Sequence, residues 1–84
     1  MKLIFATEAW EDYVHWCRYD KTMVARINTM IDRIVADPSS DYGKPEVLTH
    51  ALAGFQSRRL TAEHRIVYRV DSGQLLVAQL GYWH

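Results

Sequence analysis

Eighty-four residues, 9.8 kDa in mass, suffice for a single compact domain over 1–84 and exclude multidomain machinery. Ten Lys plus Arg balance ten Asp plus Glu, so no global field draws in polyanions, and a nucleic-acid role must rest on local clustering. With 49% hydrophobic and 24% charged residues there is material for one core but little to close a deep pocket, so a site should be shallow and built from surface side chains.

Residues 2–6 (KLIFA) form a short apolar run with Ile and Phe that reads as a strand. Thr7, followed by Glu8, Glu11 and Asp12, predicts a helix N-cap with acids in the first turns. Trp10, Tyr13, Val14 and Cys17 then recur at helical spacing, with Glu11, Asp12, His15 and Arg18 on the other side. Asp20 caps a second helix in which Met23, Val24, Ile27, Met30, Ile31, Ile34 and Val35 carry the clearest periodicity of the chain, and Asp37-Pro38 stops it. So short a link predicts an antiparallel helical hairpin.

Residues 38–45 (PSSDYGKP) are turn chemistry. After Gly54, FQSRRL, RIVYRV and QLLVAQLGYW are each of strand length, and Asp71-Ser72-Gly73 is a hairpin-type turn, which predicts an antiparallel meander. The order β-α-α-β-β-β makes the fold α+β: an antiparallel sheet with Ile66, Tyr68 and Val70 toward the two helices and Arg65, Val67 and Arg69 on the other face.

Charge is unevenly distributed. Residues 1–42 hold seven acids and five bases, residues 43–84 three acids and five bases, and within 55–70 Arg58, Arg59, Arg65 and Arg69 are accompanied by Glu63 alone. Guanidinium groups on adjacent strands can form a forked phosphate site, the alternative being a solvated, salt-bridged sheet face. Register decides which arginines converge. An odd-length connection puts Arg59 and Arg65 on one face; an even one pairs Arg58 with Arg65 and sends Arg59 to the helix side.

Glu46 follows the stiff turn Gly43-Lys44-Pro45 just before the basic sheet, where a carboxylate beside arginines can take a proton from a ribose 2′-hydroxyl; otherwise it is a surface glutamate. The ending Gly81-Tyr82-Trp83-His84 offers aromatics for stacking on unpaired bases and an imidazole for proton donation, unless the terminus is frayed and functionless. His15, His50 and His64 lack ligand spacing, so no metal site is expected, and Cys17 reads as a small core residue. With a single cysteine and no signal-peptide or membrane-span run, the expected location is the cytoplasm.

Taken together, MKLIF, EAWEDYVHW, YGKPEVL and LAGFQSRRLTAEHRIVYRV resemble, end to end, the YoeB/Txe branch of the RelE/ParE toxin superfamily. The GKPE turn and the SRR-L-T-x-EHR-x-VYRV hairpin carry most of the likeness. The resemblance implies a RelE-like microbial RNase-type fold, a four-stranded antiparallel sheet backed by two helices. It implies a ribosome-dependent messenger-RNA endonuclease without metal or other cofactor, held inactive by a cognate YefM/Phd-like antitoxin. Operator DNA would be met only through the antitoxin complex, and a homodimer is compatible. The family's general base falls on Glu46, its transition-state arginine on Arg65 and its substrate-binding arginine on Arg59, with Lys44, Tyr82 and Trp83 as further RNA contacts.

The chain also departs from the family pattern. The penultimate histidine that serves as general acid is Trp83 here, and the imidazole stands at His84, which replaces it only if the chain end turns back, because neighbours on a strand face opposite ways. A family lysine is Thr49, the tryptophan before SRR is Gln56, and a basic residue before the terminal aromatics is Gly81. Besides an active nuclease, the sequence leaves a non-catalytic antitoxin-binding protein and a ParE-like gyrase inhibitor as alternatives.

Overall fold

The computed structural model describes residues 1–82. Strand β1 (Lys2–Phe5) leads into helix α1 (Thr7–Tyr19), which is followed by α2 (Lys21–Ala36), β2 (Glu46–Val47), a short 3-10 turn (His50–Leu52), β3 (Gln56–Arg59), β4 (His64–Asp71) and β5 (Gln74–Tyr82). The strands make one five-stranded sheet in the order β1-β5-β4-β3-β2. The expected meander is present, antiparallel from β2 to β5, whereas β1 runs parallel to β5, so the sheet as a whole is mixed. Strand β2 had no apolar alternation to announce it: only two residues long and exposed, it owes its place to pairing with β3.

The expected cap at Thr7 is replaced. Thr7 is already helical and Ala6 is the N-cap, without a side-chain bond, because the Ala6 N–H is still tied to the Val77 carbonyl at 2.9 Å and the strand passes directly into the helix. Asp20, in contrast, caps α2 as expected, its carboxylate accepting from the Met23 N–H at 3.0 Å. Because Asp20 alone joins the helices, they fold back on each other, and the Tyr13 hydroxyl reaches Asn28 Oδ1 across them at 2.9 Å.

The core lies between the helices and one sheet face. Met23, Ile27, Met30, Ile31 and Ile34 of α2 meet Ile66, Tyr68, Leu75, Val77 and Leu80. Helix α1 contributes Ala9, with Tyr13 and Trp16 packed alongside. Its buried stripe therefore runs 9-13-16 and leaves Cys17 exposed, correcting the expectation of a core cysteine; the Trp16 indole N–H is carried inward to the Leu80 carbonyl at 2.9 Å. Val67 pairs with Gln79 but Tyr68 with Val77, a β-bulge that leaves Ala78 unmatched and lets Val77 and Leu80 both face inward. The same bulge sends Gln79 and Gly81 to the face that carries Arg65. Among the described residues no helix is long and apolar enough to cross a membrane.

Candidate functional site

The chain returns from α2 to the sheet through residues 38–45. At the helix end the Asp37 carboxylate accepts from the Ser39 hydroxyl at 2.7 Å and the Ser39 N–H at 3.1 Å; these bonds, with Arg58 nearby, hold it below the usual 3.8. The Lys44 N–H closes a turn onto the Asp41 carbonyl at 3.0 Å. Gly43 (φ 75°) and Lys44 (φ 52°) are both left-handed, a backbone that favours glycine, and a Cβ at Gly43 would stand 3.2 Å from the Arg59 carbonyl oxygen and 2.5 Å from the Met30 methyl, so the turn lies close on both sheet and core. The Gly43 carbonyl accepts from the Arg59 N–H at 2.8 Å, and Glu46 enters β2 opposite Ser57.

Arg59 lies opposite Arg65, which settles the register: an odd number of residues, 60–64, separates the two, and Arg59, Arg65 and Ser57 share the face away from the helices. Arg65 Nη1 donates to Glu46 Oε2 at 3.1 Å and to the Ser57 hydroxyl at 2.9 Å. The Arg65 side chain is 12% exposed and that of Glu46 57%, so a cation fixed in the sheet holds a carboxylate open to solvent. Arg58 leaves the patch for the helix side, where it is buried, and Arg69 lies over the Phe55 ring at 5.2 Å. Of the arginines singled out, Arg59 and Arg65 therefore share the face away from the helices, and Lys44 stands exposed in the turn before β2.

Tyr82 is 63% exposed, its ring 4.4 Å from that of His64, which in turn meets Trp16 edge-on. A polar cleft of about 300 Å³ lined by Glu8, Asp12, Arg65, Gln79, Gly81 and Tyr82 connects this end of β5 to the arginine. Trp83 and His84, expected as RNA contact and proton donor, lie outside the described residues. Sequence reasoning missed Ser57, fully buried yet bonded to Arg65, and Asp12, whose carboxylate accepts from the Leu80 N–H at 3.0 Å. Once the Arg59–Arg65 register is known, period-two alternation alone puts Ser57 beneath Arg65.

A sequence profile described as YoeB-like toxin of bacterial type II toxin-antitoxin system matches residues 5–84. Toxin YoeB of Escherichia coli K12 is 48% identical over 82 residues, 98% of either chain. The YoeB/ParE toxin from Agrobacterium tumefaciens, 44% identical, superposes with a TM-score of 0.93 over the whole of both chains. The Staphylococcus aureus toxin, solved in a heterotetrameric YoeB-YefM complex, is 36% identical with a TM-score of 0.91 over 100% of this chain and 98% of that one. It has also been solved as a YoeB dimer. With fold, turn and arginine pair in place, the chain belongs to the YoeB-like toxins of bacterial type II toxin-antitoxin systems.

Proposed function

We propose that this toxin cuts messenger RNA on the ribosome, with Glu46 as general base and Arg65 as the stabiliser of the transition state. The observation that carries the reading is the 3.1 Å contact between the exposed Glu46 carboxylate and the sheet-held Arg65 guanidinium. Glu46 takes the proton of a ribose 2′-hydroxyl; the 2′-oxygen bonds to the adjacent phosphorus; the bond to the 5′-oxygen breaks, leaving a cyclic phosphate and a 5′-hydroxyl. Arg65 neutralises the charge that grows on the phosphoryl oxygens, a guanidinium already oriented by Ser57 costing no reorganisation as the reaction proceeds. Arg59 and Lys44 hold flanking phosphates, Tyr82 and Trp83 stack on bases, and His84 returns the proton to the leaving oxygen. These steps call on side chains alone, with no metal or other cofactor.

The partner that silences it is a YefM/Phd-like antitoxin, the pairing in the S. aureus complex supporting this assignment. A disordered acidic segment that folds over the arginine face would complement its charge. Expression of the protein should arrest growth, co-expression of the antitoxin should relieve the arrest, and Glu46→Ala should abolish it at unchanged protein level. Arrest by the Glu46→Ala form equal to that of the parent would overturn the base assignment, and arrest accompanied by inhibited DNA supercoiling would replace the nuclease by a gyrase poison.

A further inference from the structure

Arg58 is buried at 1% exposure, yet among the described residues no carboxylate lies within ion-pair distance of it. Its Nε donates to the Tyr68 hydroxyl at 2.8 Å, Nη1 to the Ser40 hydroxyl at 3.0 Å and the Tyr42 carbonyl at 3.1 Å, and Nη2 to the Pro38 carbonyl at 2.9 Å. The Tyr68 hydroxyl in turn donates a hydrogen bond to Gln56 Oε1 at 3.1 Å, so Gln56 is part of the same network. Among the described residues, the acceptors of Arg58 other than Tyr68 all lie in residues 38–42, a stretch outside helix and strand.

Burying a guanidinium on neutral acceptors is a poor way to gain stability, since an apolar side chain would fill the space at a smaller desolvation cost. What the guanidinium supplies is geometry: a planar fork of donors that fixes separate points of one loop at once. Immediately after that loop come Gly43, bonded to the Arg59 N–H and pressed against Met30, then Lys44, Pro45 and Glu46. We propose that Arg58 is a positioning residue for the Glu46 base: from beneath the sheet it fastens the turn that aims the carboxylate at the 2′-hydroxyl, without itself touching RNA. This role rests on the nuclease reading above. An error of about 1 Å in such placement can cost on the order of a hundredfold in rate, whereas binding through Arg59 and Arg65 depends on other bonds.

The test is single-turnover cleavage of ribosome-bound messenger by the Arg58→Met and Ser40→Ala forms, each made with Glu46 intact and with Glu46→Gln, together with affinity for a ribosome carrying 2′-deoxy messenger at the cut site. With Glu46 intact, Arg58→Met should slow cleavage about 10- to 100-fold and Ser40→Ala about threefold, affinity staying within about twofold. In the Glu46→Gln background neither substitution should slow the residual reaction further, because the group they position is gone. Equal slowing in both backgrounds, a loss of affinity matching the loss of rate, or a folded Arg58→Met form with the parent rate would overturn the role and leave the nuclease standing. If Arg58→Met does not fold, the Ser40→Ala pair decides by the same criterion. No cleavage by the unsubstituted protein brings down the nuclease reading, and this role with it.

Discussion

Ser57 illustrates how a small buried hydroxyl sets the behaviour of a large charged neighbour. Its Oγ accepts from Arg65 Nη1 at 2.9 Å while Glu46 accepts from the same nitrogen, so the guanidinium is held at two points before substrate arrives. A hydrogen bond to a charged group is worth about 1.5–3 kcal/mol, so Ser57→Ala should lower the melting temperature by several degrees, and the guanidinium it leaves unfixed should slow single-turnover cleavage by roughly 10- to 100-fold. An unchanged rate would mean that Arg65 needs no orientation. At this scale the sequence was partly legible. Glu46 and Arg65 were singled out for separate roles through the resemblance, and their 3.1 Å contact is what the structure adds; the choice between Arg58 and Arg59 depended on loop parity, which turn residues alone did not decide. Ser57 went unread because its role follows only from that register.

At the scale of elements, caps and breaks governed what could be read. Asp20 was legible because an Asp before a periodic apolar run has few other uses, and Asp20→Ala should destabilise the protein by about 1 kcal/mol in denaturant unfolding. Thr7 misled because the preceding residue stays bonded to the sheet, leaving no room for a capping turn. Helix α1 was read one position out of phase: large aromatics at its rim, Trp10 stacked on Tyr13, outweighed the small Ala9 that faces the core. The end of α2 gives a pH dependence. The Asp37 carboxyl is held below 3.8 chiefly by Ser39, so the folded state favours its ionised form; that stabilisation is present above 3.8 and is lost as the pH falls through the lowered folded value. Asp37→Asn should melt earlier than the parent at pH 7, and the gap should narrow as the pH falls below 3.8; a gap independent of pH would contradict the assignment.

Across the whole molecule, the order of the elements and the presence of a two-helix layer on one sheet face followed from periodicity and turn chemistry, since each helix and each of the longer strands carries its own pattern. The parallel docking of β1, the exposed strand β2 and the bulge at Ala78 did not, because pairing partners distant in sequence leave no local signal. Those long-range features build the site: β2 brings Glu46 to Arg65, and the bulge turns Gln79 and Gly81 toward the same cleft. A chain of zero formal net charge thus places Arg59 and Arg65 together on one sheet face, and on the proposed reading RNA would be met by that local charge rather than by the field of the whole protein. Primer extension on a defined messenger in a reconstituted translation system, comparing the protein, its Glu46→Ala form and no protein, tests this account most directly. It predicts a new cut that requires both ribosomes and Glu46; no cut at saturating protein, or a cut that Glu46→Ala preserves, would contradict it.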